Sequence, residues 1–242
     1  NGLLADINIR KAIACGINTR EVVSKAYGNH GVSSDLPIIP DSWLSTITDI
    51  NYDYDSDKAA SILAKNGWAD KNGDGVLEKK INGTVKKLSF KIIVNTSETN
   101  KNRHNSARFI AEDLKKIGIN VEVVPLEWKE YSKRLSEGNY DAALVGSRLG
   151  TVPDLTDFLK SLKNGGYNYT EELKLINKAK AEQDEEKWME LNIQLQNMLL
   201  EKMPFIGLYF HTNSIVYSKT LQVDLQVIEG DAFRTIDKWY FK

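Results

Sequence analysis

The chain has 242 residues, 41% hydrophobic and 27% charged, the composition of an ordinary globular protein with room for one large domain or two small ones. Lysine and arginine total 32 against 33 acidic residues, a net charge of -1, so the basic excess that phosphate neutralisation requires is absent and nucleic acid is excluded as an expected partner. No apolar run nears the roughly 20 residues that span a bilayer, and a single cysteine, Cys15, excludes an intrachain disulfide and reads as a small core residue.

NGLLADINIRKAI enters an amphipathic pattern at once, without initiating Met or leader, as expected of a piece of a longer chain. Ile9, Ala12, Ile13 and Ile17 recur at helical spacing, and Thr19 with Val22 and Val23 opens a second helix capped at its start. Residues 28–55, rich in Gly, Pro, Ser and Asp, read as a long surface excursion. Asp55 then caps a helix carrying Ala59, Ala60, Ile62 and Leu63, which Asn66 and Gly67 end.

DKNGDGVLEK follows, with Asp70, Asn72 and Asp74 at the alternating positions of a calcium loop. Such a loop needs a bidentate carboxylate at its twelfth position and a helix beyond. The twelfth residue is Ile81, and the text continues as strands around Asn82-Gly83, a dipeptide suited to a type I′ hairpin. The stretch therefore reads as a turn with solvated acids.

Residues 88–94 read as a strand, 102–117 as a helix with a glycine C-cap at Gly118, and 120–125 as a second strand, together a right-handed parallel crossover. A helix over 128–137 and a third strand, YDAALV at 140–145, repeat the pattern. Two long helices follow over 170–183 and 184–202, the second with Trp188, Leu191, Leu195, Met198 and Leu199 on one face. Pro204 stops it, and PFIGLYF and SIVYS read as strands.

His30, His104 and His211 stand in separate contexts without a second ligand type at metal spacing, and no phosphate loop, nucleophile elbow or zinc motif is present. No catalytic constellation, metal site or cofactor is expected. In open α/β sheets ligands bind outside the carboxyl ends of strands, and "GSRLGTVPD" leaves the third strand at such an end. There Arg148 offers a five-donor fork and Asp154 precedes a helical stretch, while NGGYNY adds an amide and aromatics. A capping Asp in a solvated loop is the plainer reading of the same residues.

Several phrases together resemble the solute-binding proteins of ABC importers, in the peptide, dipeptide and nickel-binding family. They are "INIRKAIACGINTREVV", with Asn18 where Asp is usual, "YDYDSDKAASILAKNGWADKNGDG", "IAEDLKKIGINVEVVPLEWKEYSKRLSEGNYDAALVG", "NGGYNYTEEL" and "MPFIGLYF", in the family's order. The resemblance implies a periplasmic-binding-protein-like α/β lobe (type II), a mixed open sheet with flanking helices. It implies the C-terminal half of such a protein, with residues 1–203 as its second lobe and 204–242 crossing back to complete the absent first lobe. It further implies a monomeric, non-enzymatic component outside the cell, tethered as a lipoprotein, that passes oligopeptide or another small solute to a membrane permease. Carried over by position, the ligand-lining residues are Gly146, Ser147, Arg148, Pro153, Asp154, Asn164 and Tyr167. Ser147 stands where Trp is usual, and Val152 where an acid often precedes the proline. The rival readings are a calcium-stabilised module on Asp70, Asn72 and Asp74, and a hydrolase using Asp154, the latter with no base or nucleophile beside it.

Overall fold

The computed structural model describes residues 2–40, 42–45, 52–148, 154–162, 166–212, 214–224 and 233–242. Three helices open it, each started by a side-chain cap. Asp6 accepts from the Asn8 backbone N–H at 2.9 Å and begins α1 (Ile7–Gly16). Asn18, rather than Thr19, caps α2 (Thr19–Tyr27), and Asp55 caps α3 (Ser56–Lys65). The Asn18 backbone N–H also donates to the buried Asp113 carboxylate at 3.0 Å, fixing α2 against a later helix.

The central unit is β4 (Ser89–Asn95), α4 (Ser97–Lys116) and β5 (Asn120–Leu126), with β1 (Gly31–Ser33) and the hairpin β2 (Glu78–Ile81) and β3 (Thr84–Lys87) preceding it. Strand β4 lies between β5 and β6 (Ala142–Ala143), parallel to both. Its Phe90, Ile92, Ile93 and Val94 are all buried, as a parallel strand covered on both faces requires. Ala107, Ile110 and Leu114 of α4 pack beside it, with Ile9, Ala12, Leu63 and Trp68 completing the main core. The expected crossover, the Asn82-Gly83 hairpin tip with both φ positive, and the glycine after α4 are all observed.

Three strands differ from the sequence reading. The third parallel strand registers with β4 only at Ala142 and Ala143: the Asp141 carboxylate takes the Lys91 N–H before it, and beyond it the Leu144 N–H still donates to Ile93 while the Leu144 carbonyl accepts from the Tyr131 hydroxyl. SIVYS forms no described strand, and its Val216 is 94% exposed. PFIGLYF contributes only the start of β7 (Tyr209–His211), whose antiparallel partner β1 lies inside the supposed excursion. A three-residue strand is too short to show an alternation.

A second, helical core follows. Leu155 and Leu159, the latter on α6 (Thr156–Leu162), meet Ile176 of α7 (Thr170–Ala181) and Leu195 and Leu199 of α8 (Glu185–Lys202). Asp184 is the cap of α8 rather than its first residue. The Arg10 guanidinium joins the two ends of this architecture, donating to the carbonyls of Leu4, Ala5, Lys202 and Met203 at 2.8–2.9 Å. A cation at the terminal carbonyls of α8 also matches its dipole.

Candidate functional site

The carboxyl end of β4 is Asn95, 2% exposed. Its side-chain oxygen accepts a 2.6 Å hydrogen bond from Arg103 Nη1. Arg103 is placed there by a break in α4: Asn100 leaves helical φ/ψ, and its side chain caps the resumed helix by accepting from the Arg103 N–H at 2.9 Å. The helix expected from residue 102 is this resumed segment.

Arg103 also reaches the loop beyond β6: a Cβ on Gly146 would stand 2.7 Å from Arg103 Nη2, so a larger residue there would displace the guanidinium. Burial pushes the Tyr131 phenol up, and Arg103 beside it opposes that rise. One cation thus meets the end of β4, the loop after β6 and Tyr131 of α5 (Trp128–Glu137).

An open pocket of about 410 Å³ lies against the same arginine. Tyr27 and His30 come from the end of α2, and Asn100, Asn102 and Arg103 from the start of α4. His211 and Thr212 come from β7 and the residue after it. The β1–β7 ladder sets Gly31 opposite His211, and the Thr212 N–H donates to the His30 carbonyl at 3.2 Å. Tyr27 stacks on His211 with rings 6.5 Å apart and packs on Tyr209, whose hydroxyl shares a 2.8 Å hydrogen bond with Ser106. Among the described residues the lining bears cationic, imidazole, amide and hydroxyl groups.

The residues singled out in the sequence fall into two places. Gly146, Ser147 and Arg148 lie exposed on the loop leaving β6, Gly146 next to Arg103. Asp154 and Tyr167 flank the helical core, joined to it by hydrogen bonds to α6 and α7. Asp154 accepts from the Thr156 N–H at 3.0 Å and pairs with Lys180 at 2.7 Å, which hold its carboxyl down at about 2. The Tyr167 hydroxyl donates to Glu172 at 2.6 Å, and Glu172, fully buried, also accepts from Lys202. Pro153 and Asn164 lie outside the described residues. Sequence reasoning missed Arg103, although its position in the first turn of a helix after a strand is where this sheet class places ligand contacts.

The Asp-rich turn uses its acids internally. Asp70 accepts from the N–H groups of Gly73 and Gly75 at 2.8 and 2.9 Å, and Asp74 accepts from Val76 and pairs with Lys87. Among the described residues no group of three or more His, Cys, Asp or Glu is placed to hold a metal ion. No described helix is long and apolar enough to cross a membrane.

The fold is thus a three-stranded parallel sheet with flanking helices, with a polar pocket beside the arginine that bonds the carboxyl end of β4. The model of bacterial extracellular solute-binding proteins, family 5, matches residues 1–196, and the chain belongs to that family. It is 31% identical over 251 residues to the oligopeptide-binding protein AppA of Bacillus subtilis, spanning 99% of this chain and 45% of that one. It is 26% identical to the dipeptide-binding protein of Escherichia coli, over 83% of this chain and 37% of that protein. Among solved structures, AppA in complex with a nonapeptide superposes with a TM-score of 0.76 at 28% identity, covering 100% of this chain and 49% of that one. A periplasmic oligopeptide-binding protein of Thermotoga maritima with bound mannohexaose gives 0.75 at 26% identity, over 86% and 42%. The chain therefore spans about half the length of the relatives it matches.

Proposed function

We propose that this chain is the second lobe, residues 1–203, and the returning segment, residues 204–242, of the extracytoplasmic substrate-binding component of an ABC importer, with oligopeptides as its solutes. It binds without chemistry and acts as a monomer. Tethered outside the cell by a lipid anchor on the full-length protein, it hands solute to the membrane permease. The observation that carries this reading is the junction at Arg103, where the loop Gly146–Arg148 and an open polar pocket meet at the carboxyl end of β4. Pro153, Asp154, Asn164 and Tyr167 are retained as the remaining candidates for the solute-facing wall, Asp154 and Tyr167 through the segments they anchor.

Solute held by two lobes favours the closed state by the difference between its affinities for closed and open forms. One lobe lacks half of those contacts. Isothermal titration of tri-, penta- and nonapeptides is expected to show binding by the full-length protein and far weaker binding by residues 1–242. Equal affinities would overturn the division between lobes, and absence of peptide binding by the full-length protein would overturn the solute class.

A further inference from the structure

The hairpin ahead of the central strand concentrates a charge that the rest of the chain lacks. Residues 78–87, EKKINGTVKK, hold four lysines and one glutamate, a net of +3 in a chain whose total is -1. The acids near the hairpin stand at its base and are engaged there. Asp70 accepts from the Gly73 and Gly75 N–H groups, Asp74 pairs with Lys87, and Glu78 lies directly across the ladder from Lys87. Lys79, Lys80 and Lys86 are left toward the tip, without an acidic partner among the described residues.

The two faces of the hairpin are not alike. Residues opposed across an antiparallel pair share a face, and successive pairs alternate. Lys79 and Ile81 mark the inner face: the Lys79 ammonium lies 5.9 Å from the centre of the Trp68 ring, and Ile81 packs on the main core. The outer face carries Lys80 and, opposite it, Val85, which is 58% exposed. Strand β3 is exposed along its whole length, Lys86 included, and pairs with β2 alone. Lysines on such an edge keep it from pairing with another chain. That duty calls for charge and for no apolar side chain, so it leaves Val85 unexplained. A cationic edge with one projecting apolar residue complements a surface whose outermost layer is anionic and whose next layer is apolar, as in a bilayer of acidic lipids.

We infer that the β2–β3 hairpin docks on an anionic lipid surface, that of the membrane to which the protein is tethered. This rests on the tethered-component reading above, since a tether keeps the hairpin at high effective concentration beside the bilayer and lets a modest patch act. The hairpin leads into the amino end of β4, whereas the pocket lies beside the arginine that bonds its carboxyl end, seven residues and about 20 Å further along the strand. Docked by the hairpin, the lobe holds that pocket away from the lipid and open to the medium.

The test is co-sedimentation of residues 1–242 with vesicles of phosphatidylcholine alone and with vesicles containing one third phosphatidylglycerol. At about 50 mM salt the anionic vesicles are expected to bind on the order of a hundred-fold more tightly, from three net charges at roughly five-fold each. At about 500 mM salt, where the Debye length shrinks to a few ångströms, the difference disappears. Lys80→Gln with Lys86→Gln lowers binding to anionic vesicles roughly twenty-five-fold, and Val85→Ser lowers it about five-fold. All three positions are exposed, so the melting temperature stays unchanged. Equal binding to both vesicle types, which the apolar side chains exposed near the C-terminus would produce by themselves, or anionic binding that survives the double substitution, would overturn the inference. So would displacement from vesicles by millimolar glycerol phosphate, the mark of a small-anion site. Peptide titration of the full-length protein with and without anionic vesicles separates this docking from the transport reading. Unchanged peptide affinity supports the docking geometry, and competition refutes it. Vesicle binding without any peptide binding keeps the hairpin and removes the solute class; peptide binding without vesicle binding removes the hairpin docking alone.

Discussion

Tyr167 offers a sharp separation of two roles, because its hydroxyl is spent inside the protein. It donates to Glu172 at 2.6 Å, a side chain with no solvent exposure, whose other Oε1 partner is Lys202 at 3.2 Å. The second carboxylate oxygen, Oε2, is buried without a hydrogen bond. Tyr167→Phe keeps the ring and deletes only the donor, leaving a buried carboxylate with one fewer of its few partners. A hydrogen bond to a charged group contributes about 1.5–3 kcal/mol. In a chain of this size 1 kcal/mol corresponds to roughly 2–4 °C, so the melting temperature is expected to fall by about 3–12 °C. The assay is urea denaturation followed by circular dichroism, alongside a thermal melt. A variant as stable as the parent but defective in peptide binding would refute the reasoning and place the hydroxyl on the solute instead.

Asp154→Ala removes the acceptor of the Thr156 N–H ahead of α6 and the Lys180 pair, for a loss of about 1 kcal/mol from the hydrogen bond, the exposed ion pair adding little. With its folded pKa held at about 2, below the unfolded value near 3.9, Asp154 contributes stability that is complete above the unfolded pKa and disappears as pH falls through about 2. Melts of parent and variant should therefore differ at pH 6 and converge near pH 2; a gap that persists at low pH would contradict this. For the Asp70–Asp74 turn, whose carboxylates accept backbone N–H groups, the melt in excess chelator should superimpose on the untreated one. A chelator-dependent fall of several degrees would restore the calcium reading.

The elements legible in the sequence are those whose stability is local or strongly periodic. Helix α3 carries its own cap, the Asn82-Gly83 turn demands positive φ from the two residues that tolerate it, and β4 is rich in buried apolar residues, Phe90, Ile92, Ile93 and Val94. The strands that went astray depend on distant partners. β1 exists because residues 209–211 pair with it, and the third parallel strand is flanked by side-chain bonds from Asp141 and Tyr131, neither of which alters the alternation of YDAALV. Within the candidate site, the loop after that strand is singled out by sheet topology alone. Arg103 was not, since a lone arginine in an exposed helical turn has nothing local to distinguish it; its importance arises from Asn95 and Gly146, 8 and 43 positions away. Asp154 and Tyr167 carried sequence signals of capping and aromaticity that the fold uses for anchoring.

One guanidinium, Arg10, grips four carbonyls drawn from both extremities of the 203 residues preceding the returning segment. Rolling α8 about its own axis would stretch several of those bonds together, so the helical core is keyed to the sheet core as a wheel is keyed to its shaft.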